Sequence, residues 1–441
     1  MGYRDHLDMD RRESRRRRRQ RNQILAYFIL FLVIVAAAVG LILGVKEYSE
    51  KQKVNNAQSQ LQSGQEKLEQ LLQSEEPIVL ESSTEVIYEP TPEELLEEMV
   101  EAAIDVMPLE DKVAGLFIVT PEAITGVTAA VLAGDGTKEA LNKYAVGGIV
   151  YFAKNIQSAD QLKKMISNTR SFSRYPLFIG VDEEGGSVSR IAGSGLASKV
   201  DSAQKIGQTG DSNNAYVAGS TIGNYLANLG FDLDFAPVAD IANVDNSVMT
   251  GRSYGSDGEF VAPFVTSMMM GLEEQEVTAC LKHFPGIGST VQDTHDGIAV
   301  SNRSAEEFRA NEFKVFQAGI DAGANMIMVG HMAAPSLVGD NTPSSMSSII
   351  ITDILRKELG FDGVIITDAM NMSAISKYYE SDQAAITALK AGCDMILMPD
   401  DFKQAYNGVL QAVKEGVISE ERVDDSLKRI YRIKYTDKVK K

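Results

Sequence analysis

The sequence predicts a (β/α)8 barrel of the TIM type, an α/β fold, and three observations predict it. Beyond Pro108, eight short apolar runs punctuate the chain, most of them about 30 to 50 residues apart, which leaves room for a helix and its loops in each gap. The runs are continuous Val/Ile/Leu/Met stretches without polar alternation, the pattern of parallel strands covered on both faces. Charged and polar residues stand directly after several of them, and in a parallel barrel all strand ends emerge on one face. A doubly wound open sheet is the structural alternative. No Gly-x-Gly-x-x-Gly follows the first run, which weakens the nucleotide-binding form of that alternative.

In chain order, residues 1–23 read as a basic cytoplasmic tail, with nine arginines (Arg4, Arg11, Arg12, Arg15 to Arg19 and Arg21) against four acids. Ile24 to Val45 follows as 22 residues without a charge. At about 1.5 Å per residue this run matches a hydrocarbon core of roughly 30 Å. A cleaved secretory signal is the alternative, but such signals have a shorter apolar region and a small-residue cleavage site. The arginine block places the amino end in the cytoplasm and the rest of the chain outside. Residues 24–45 are thus expected to anchor the protein in the lipid bilayer as a single-pass protein of the cell membrane. Residues 46–90 read as a stalk, rich in Gln, Glu, Lys and Ser, with a weak heptad hint in Val54, Leu61 and Leu68. The body, residues 91–441, opens on Thr91-Pro92-Glu93-Glu94, which has an N-cap, a first-turn proline and a capping-box Glu in register.

The net charge of the whole chain is −18, and almost all of its basic excess lies in the first 23 residues. The body is strongly acidic, which argues against nucleic acid as a partner. Two cysteines, Cys280 and Cys393, each beside an apolar run, read as small core residues and not as a disulfide framework.

The eight predicted strands are Leu116–Val119, Gly148–Phe152, Leu177–Val181, Leu233–Pro237, Ala279–Leu281, Met326–Val329, Val364–Thr367 and Met395–Met398. After the third comes Asp182-Glu183-Glu184-Gly185-Gly186, and after the fifth Lys282-His283-Phe284-Pro285-Gly286. His331 follows the sixth and Asp368 the seventh. Of the four histidines, His6 is in the tail and the other three all follow predicted strands. This sorting marks one polar, catalytic face.

At these residues the sequence resembles glycoside hydrolase family 3, and within it the single-barrel β-N-acetylglucosaminidase branch. The resemblance runs from about Pro108 to Tyr435. Its motifs occur in the family's order: Leu109-Glu110-Asp111-Lys112-Val113, then Gly180-Val181-Asp182-Glu183-Glu184-Gly185-Gly186 through Arg190, then Gly251-Arg252-Ser253-Tyr254-Gly255. Lys282-His283-Phe284-Pro285-Gly286 follows, with Asp293-Thr294-His295 downstream, and Leu359-Gly360-Phe361-Asp362-Gly363 through Thr367-Asp368-Ala369-Met370 closes the set. Two features depart from the family's pattern. Ile287 stands where the family often has a histidine, and the chain ends soon after the barrel, without the second α/β domain of most β-glucosidases.

The resemblance implies roles. Asp368 is the expected nucleophile of a retaining glycosidase; its plain alternative is a helix-capping aspartate. His295 is the expected proton donor and acceptor, oriented by Asp293, on a loop that otherwise reads as a polar turn. A histidine near its pKa at neutral pH suits that work, and an adjacent carboxylate fixes its tautomer. Asp182, Arg190, Arg252, Lys282 and His283 match the family's sugar-binding positions. Glu184 and His331 are candidates for lining the pocket, each with a structural alternative: bracing the Gly-Gly turn, or a hydrogen-bonded core histidine. No cofactor and no metal are called for.

The implied activity is removal of terminal β-linked N-acetylglucosamine, with cell-wall fragments as substrates because the body is expected outside the membrane. Four rivals remain in view: a metal-dependent barrel hydrolase, a non-enzymatic wall-binding barrel, a phosphorylase, and a β-glucosidase or β-xylosidase on the same fold. His-x-His and His-Glu-x-x-His are absent from the sequence, which counts against the first. The complete set of motifs counts against the second.

Overall fold

A computed structural model of the protein describes residues 90–292 and 297–439. The expected tail, membrane anchor and stalk up to residue 89, and the expected dyad Asp293 and His295, lie outside the described residues. Among the described residues no helix is long and apolar enough to cross a membrane.

The body opens as its first four residues dictate. Thr91 caps helix α1 (Pro92–Asp105), and its hydroxyl accepts the Glu94 amide at 3.2 Å. The Glu94 carboxylate returns to the Thr91 amide at 2.8 Å, completing the capping box.

All eight apolar runs are strands: β1 (Phe117–Val119), β2 (Gly148–Val150), β3 (Phe178–Val181), β4 (Leu233–Asp234), β5 (Thr278–Phe284), β6 (Met326–Val329), β7 (Val364–Thr367) and β8 (Ile396–Leu397). Each neighbouring pair from β1 to β7 is parallel, and β8 pairs in parallel with β1 through Phe117↔Ile396. A parallel bridge, Ile366↔Met395, joins β7 to the start of β8 and closes the barrel. A closed sheet has no edge, so every strand can be short and fully buried.

A helix follows each strand and covers it. These are α2 (Asp135–Lys143), α3 (Ala159–Phe172), α4 (Asn213–Leu229), α5 (Gly258–Glu273), α6 (Glu312–Asp321), the π-type α7 (Ile349–Glu358), α8 (Ser381–Ala391) and α9 (Phe402–Lys414). A last helix, α10 (Glu420–Val439), packs on α1, with Arg432 paired to Glu97 at 2.9 Å and Lys428 to Glu101 at 3.1 Å. Lys434 on α10 donates to the carbonyls of Gly147 and Pro176, both at 2.7 Å, just before β2 and β3. Its ammonium also lies 4.4 Å from the centre of the Phe178 ring. This end of the barrel is therefore sealed by structural contacts, and the opposite end, at the strand carboxyl termini, is free for chemistry.

Candidate active site

Seven of the expected residues converge on one pocket of about 420 Å³ at the carboxyl ends of the strands: Asp182, Glu184, Arg190, Arg252, Lys282, His283 and Asp368. Two residues of the set, Asp293 and His295, lie outside the described residues. His331, the remaining one, is not on the pocket wall.

The strand period explains the sorting of the acidic run after β3. Successive side chains of an extended chain point to opposite sides. Asp182 and Glu184 face the pocket, whereas Glu183 turns away into the core and accepts the Ile191 and Ala192 amides at 2.7 and 3.0 Å and the Tyr225 hydroxyl at 2.8 Å. Glu183, and not Glu184, thus braces the segment that carries Arg190. The turn between these parts needs its two glycines. Gly185 and Gly186 have φ of 86° and 59°, and a Cβ on Gly186 would lie 2.7 Å from the Ser202 Cβ.

Glu184 is the hub of the cationic side. Arg252 grips it with both arms, Nε to Oε2 at 2.8 Å and Nη2 to Oε1 at 2.6 Å, and the Lys282 ammonium lies 2.7 Å from Oε1. Lys282 also donates to Asp182 at 2.8 Å, while Arg190 lies 3.8 Å from the other Asp182 oxygen. Burial alone would raise the Glu184 carboxyl, but Lys282 and Arg252 outweigh it and hold it down at about 2. Burial would likewise lower the Lys282 ammonium, and Asp182 and Glu184 push it above its ordinary value instead. Glu184, Arg252 and Lys282 are thus all charged at neutral pH. Arg190, a third exposed, also stands 5.8 Å from the centre of the Phe152 ring on the pocket wall.

Asp368 ends β7. One of its oxygens accepts the amide of Ala369 at 2.7 Å. Burial would raise its carboxyl, but the His283 and His331 rings, the Ala369 amide and Lys282 together hold it below the usual carboxylate value. A carboxylate kept ionised on a pocket wall is a competent nucleophile.

The two histidines differ. His331 is fully buried; its Nε2–H donates to the Ala369 carbonyl at 3.0 Å and its Nδ1 lies 2.8 Å from the Ser345 hydroxyl. It therefore steadies the peptide next to Asp368 from behind, the structural alternative of the sequence reading. His283 does line the pocket. Its Nδ1–H donates to Asp240 at 2.7 Å, which leaves Nε2 on the pocket side.

Asp240 was not among the expected residues. Fully buried, it receives the His283 amide at 3.2 Å and the Ile287 amide at 2.7 Å as well as the imidazole. It stands three residues past the predicted fourth strand, just beyond the directly following position that singled out Asp368. Ile287, which departs from the family's pattern, presents an apolar side chain to the pocket.

Residues 109–433 match the family described as Glycosyl hydrolase family 3 N terminal domain. The chain belongs to glycosyl hydrolase family 3. The matched span contains all eight strands and every described pocket residue. Among its relatives, the β-hexosaminidase A of Pseudoalteromonas piscicida is 32% identical over 328 residues, covering 67% of this chain and 54% of that protein. The β-hexosaminidase of Stenotrophomonas maltophilia strain R551-3 is 34% identical over 273 residues, 60% of this chain and 80% of that protein. The chain thus spans about half the length of the first relative and about four fifths of the second. A family 3 β-N-acetylglucosaminidase from Paenibacillus sp. superposes with a TM-score of 0.71 at 34% identity, over 76% of this chain and 64% of that one.

Proposed function

We propose that this family 3 protein is a retaining exo-β-N-acetylglucosaminidase. The observation that carries the reading is Asp368: a half-buried carboxylate held below its ordinary pKa at the end of β7, in a pocket whose other wall is a charged network suited to sugar hydroxyls. In the proposed reaction Asp368 attacks the anomeric carbon while the glycosidic oxygen takes a proton from His295, which Asp293 orients. The glycosyl-aspartate is then opened by water, with His295 as base. Asp182, Arg190, Arg252, Lys282 and His283 hold the sugar in one pose. The names of the relatives support the 2-acetamido sugar as substrate.

Product analysis with and without phosphate separates hydrolysis from phosphorolysis: release of free N-acetylglucosamine at the same rate in both supports the hydrolase, and formation of the sugar 1-phosphate would refute it. Anchorage through residues 24–45 with the barrel outside the cell, and cell-wall fragments as natural substrates, complete the proposal. They rest on the basic tail and the uncharged apolar run.

A slow fluoro-sugar with a good leaving group tests the mechanism directly. Mass spectrometry of the trapped enzyme should place the sugar on Asp368, and Asp368→Asn should fold normally and turn over about three or more orders of magnitude more slowly. Near-normal turnover in that variant, or a label elsewhere, would refute the assignment. Rates on aryl N-acetylglucosaminide, glucoside and xyloside test the specificity, and equal rates would refute it.

A further inference from the structure

Glu312, the first residue of α6, is a carboxylate with no exposed surface to speak of and no place in the proposed reaction. Three loop segments meet on it. Asn243, from the loop after β4, donates to its Oε1 at 2.9 Å. The Arg303 guanidinium, from the segment leading into α6, lies 2.9 Å from the same oxygen. Gly286, three residues past His283, lies so close that a Cβ there would fall 2.6 Å from the Glu312 Cγ. Gly286 has φ of 122°, a conformation that other residues rarely adopt. The segment from His283 to Ile287 is therefore held from two sides. Asp240 accepts from its imidazole and two of its amides, and Glu312 lies close against the turn between them, leaving no room for a side chain there. The two carboxylates are near enough for Asp240 to raise the Glu312 carboxyl.

A carboxylate buried this thoroughly is costly unless it secures something. Two of the three segments lead to the pocket imidazole: His283 lies three residues before Gly286, and its partner Asp240 lies three before Asn243. The only imidazole that lines the pocket among the described residues is thus registered against the barrel by Glu312 through its neighbours, with no contact to substrate.

We propose that Glu312 is a positioning residue that keeps the His283–Asp240 pair in register with Asp368. The effect on rate rests on the glycosidase reading; the effect on His283 does not. The groups facing Glu312 are Arg303 and Asp240, and those facing His283 are Asp240, Asp368 and Lys282.

The test uses the full-length protein and two readouts at pH 6. Proton NMR of the imidazole N–H region, simplified by a total of four histidines, follows the His283 Nδ1–H signal. Steady-state kinetics on an aryl N-acetylglucosaminide follows kcat and KM. Glu312→Ala should shift or broaden the His283 signal and lower kcat by about tenfold or more with a smaller change in KM, because misplacement by a fraction of an ångström is enough. Glu312→Gln, which keeps the acceptor for Asn243, should restore the signal and most of kcat. Val315→Ala, which opens a cavity at a buried apolar position on the same helix, should lower Tm without changing either readout. An unmoved His283 signal in Glu312→Ala overturns the proposal whatever the rate does. Should that variant not fold, Asn243→Ala removes the contact from the other side, and an unmoved signal there overturns it equally. A wild-type protein without glycosidase activity refutes the functional reading alone, since the signal still decides the role of Glu312.

Discussion

His295→Ala separates the two proton transfers proposed for a single side chain. An aryl leaving group of low pKa departs without an acid, so its replacement should slow mainly the second step. The glycosyl-aspartate then accumulates and a burst of aryl alcohol precedes the steady state. A saccharide leaving group needs the acid, and its rate should fall further. Azide needs no base and should restore part of the aryl rate, yielding a β-glycosyl azide. Equal slowing of both substrates and no response to azide would move the proton donor elsewhere. At this scale much of the site was legible. Asp182, Lys282, His283 and Asp368 follow apolar runs, and a parallel barrel brings such positions together. What escaped is equally instructive. Asp240 sits one turn of chain beyond its strand, in Ala-Asp-Ile-Ala, and looks like part of an ordinary apolar segment. Glu312 is a first-turn helix glutamate, a residue that the helix dipole favours anywhere, so nothing in sequence separates it from a solvated one. Glu183 and Glu184 were separable in principle by the two-residue period.

At the scale of elements, the apolar runs located all eight strands, although their ends moved by a few residues. The fourth, expected to reach Pro237, pairs as a strand only over Leu233–Asp234. Proline has no amide hydrogen to give to a ladder, so the pairing beyond is irregular: the Cys280 and Lys282 amides donate to the Ala236 and Pro237 carbonyls, and the Ala239 amide donates to the Lys282 carbonyl at 2.6 Å. The fifth is longer than expected and runs on to Phe284, carrying Lys282 and His283 within the strand itself. The seal at the opposite end of the barrel was not visible in sequence, because a lysine in a charged helix reads as a surface group. Lys434 is in fact half-buried with its ammonium tucked against the barrel end, and desolvation lowers that ammonium to about 7, more than Asp232 restores. Lys434→Met keeps the stem and loses the two bonds to Gly147 and Pro176. We expect a loss of about 1–3 kcal/mol in urea unfolding at pH 6, with unchanged kcat and KM, since the site lies at the other end of the strands. A change in KM would show that the two ends communicate.

For the molecule as a whole, two buried glutamates set opposite limits on stability. The Glu184 carboxyl is lowered to about 2, so its contribution is present above about 4.5 and is lost as pH falls through about 2. The Glu312 carboxyl is raised to about 7, chiefly by burial, against Arg303 and Asn243 and with Asp240 adding to it. Its contribution is complete below about 4.5 and is lost as pH rises through about 7. Glu312→Gln cannot ionise. Its Tm relative to wild type should therefore rise between pH 5 and pH 8, and a difference that stays flat over that range would contradict the titration assigned to Glu312.

The pairing of α1 with α10 has a geometric consequence. Glu97 meets Arg432 and Glu101 meets Lys428, so stepping four residues forward on one helix means stepping four back on the other. Continued to the start of α1, the same antiparallel register brings Pro92 beside residue 437. The barrel body is thus almost a ring of polypeptide, closed at one seam by ion pairs in place of a peptide bond. A short linker across that seam, with new ends cut into the exposed stretch 126–129 between β1 and α2, would give a circular permutant. Every strand pair described above would survive in it, while the order in which the chain supplies them would be rotated by one barrel unit.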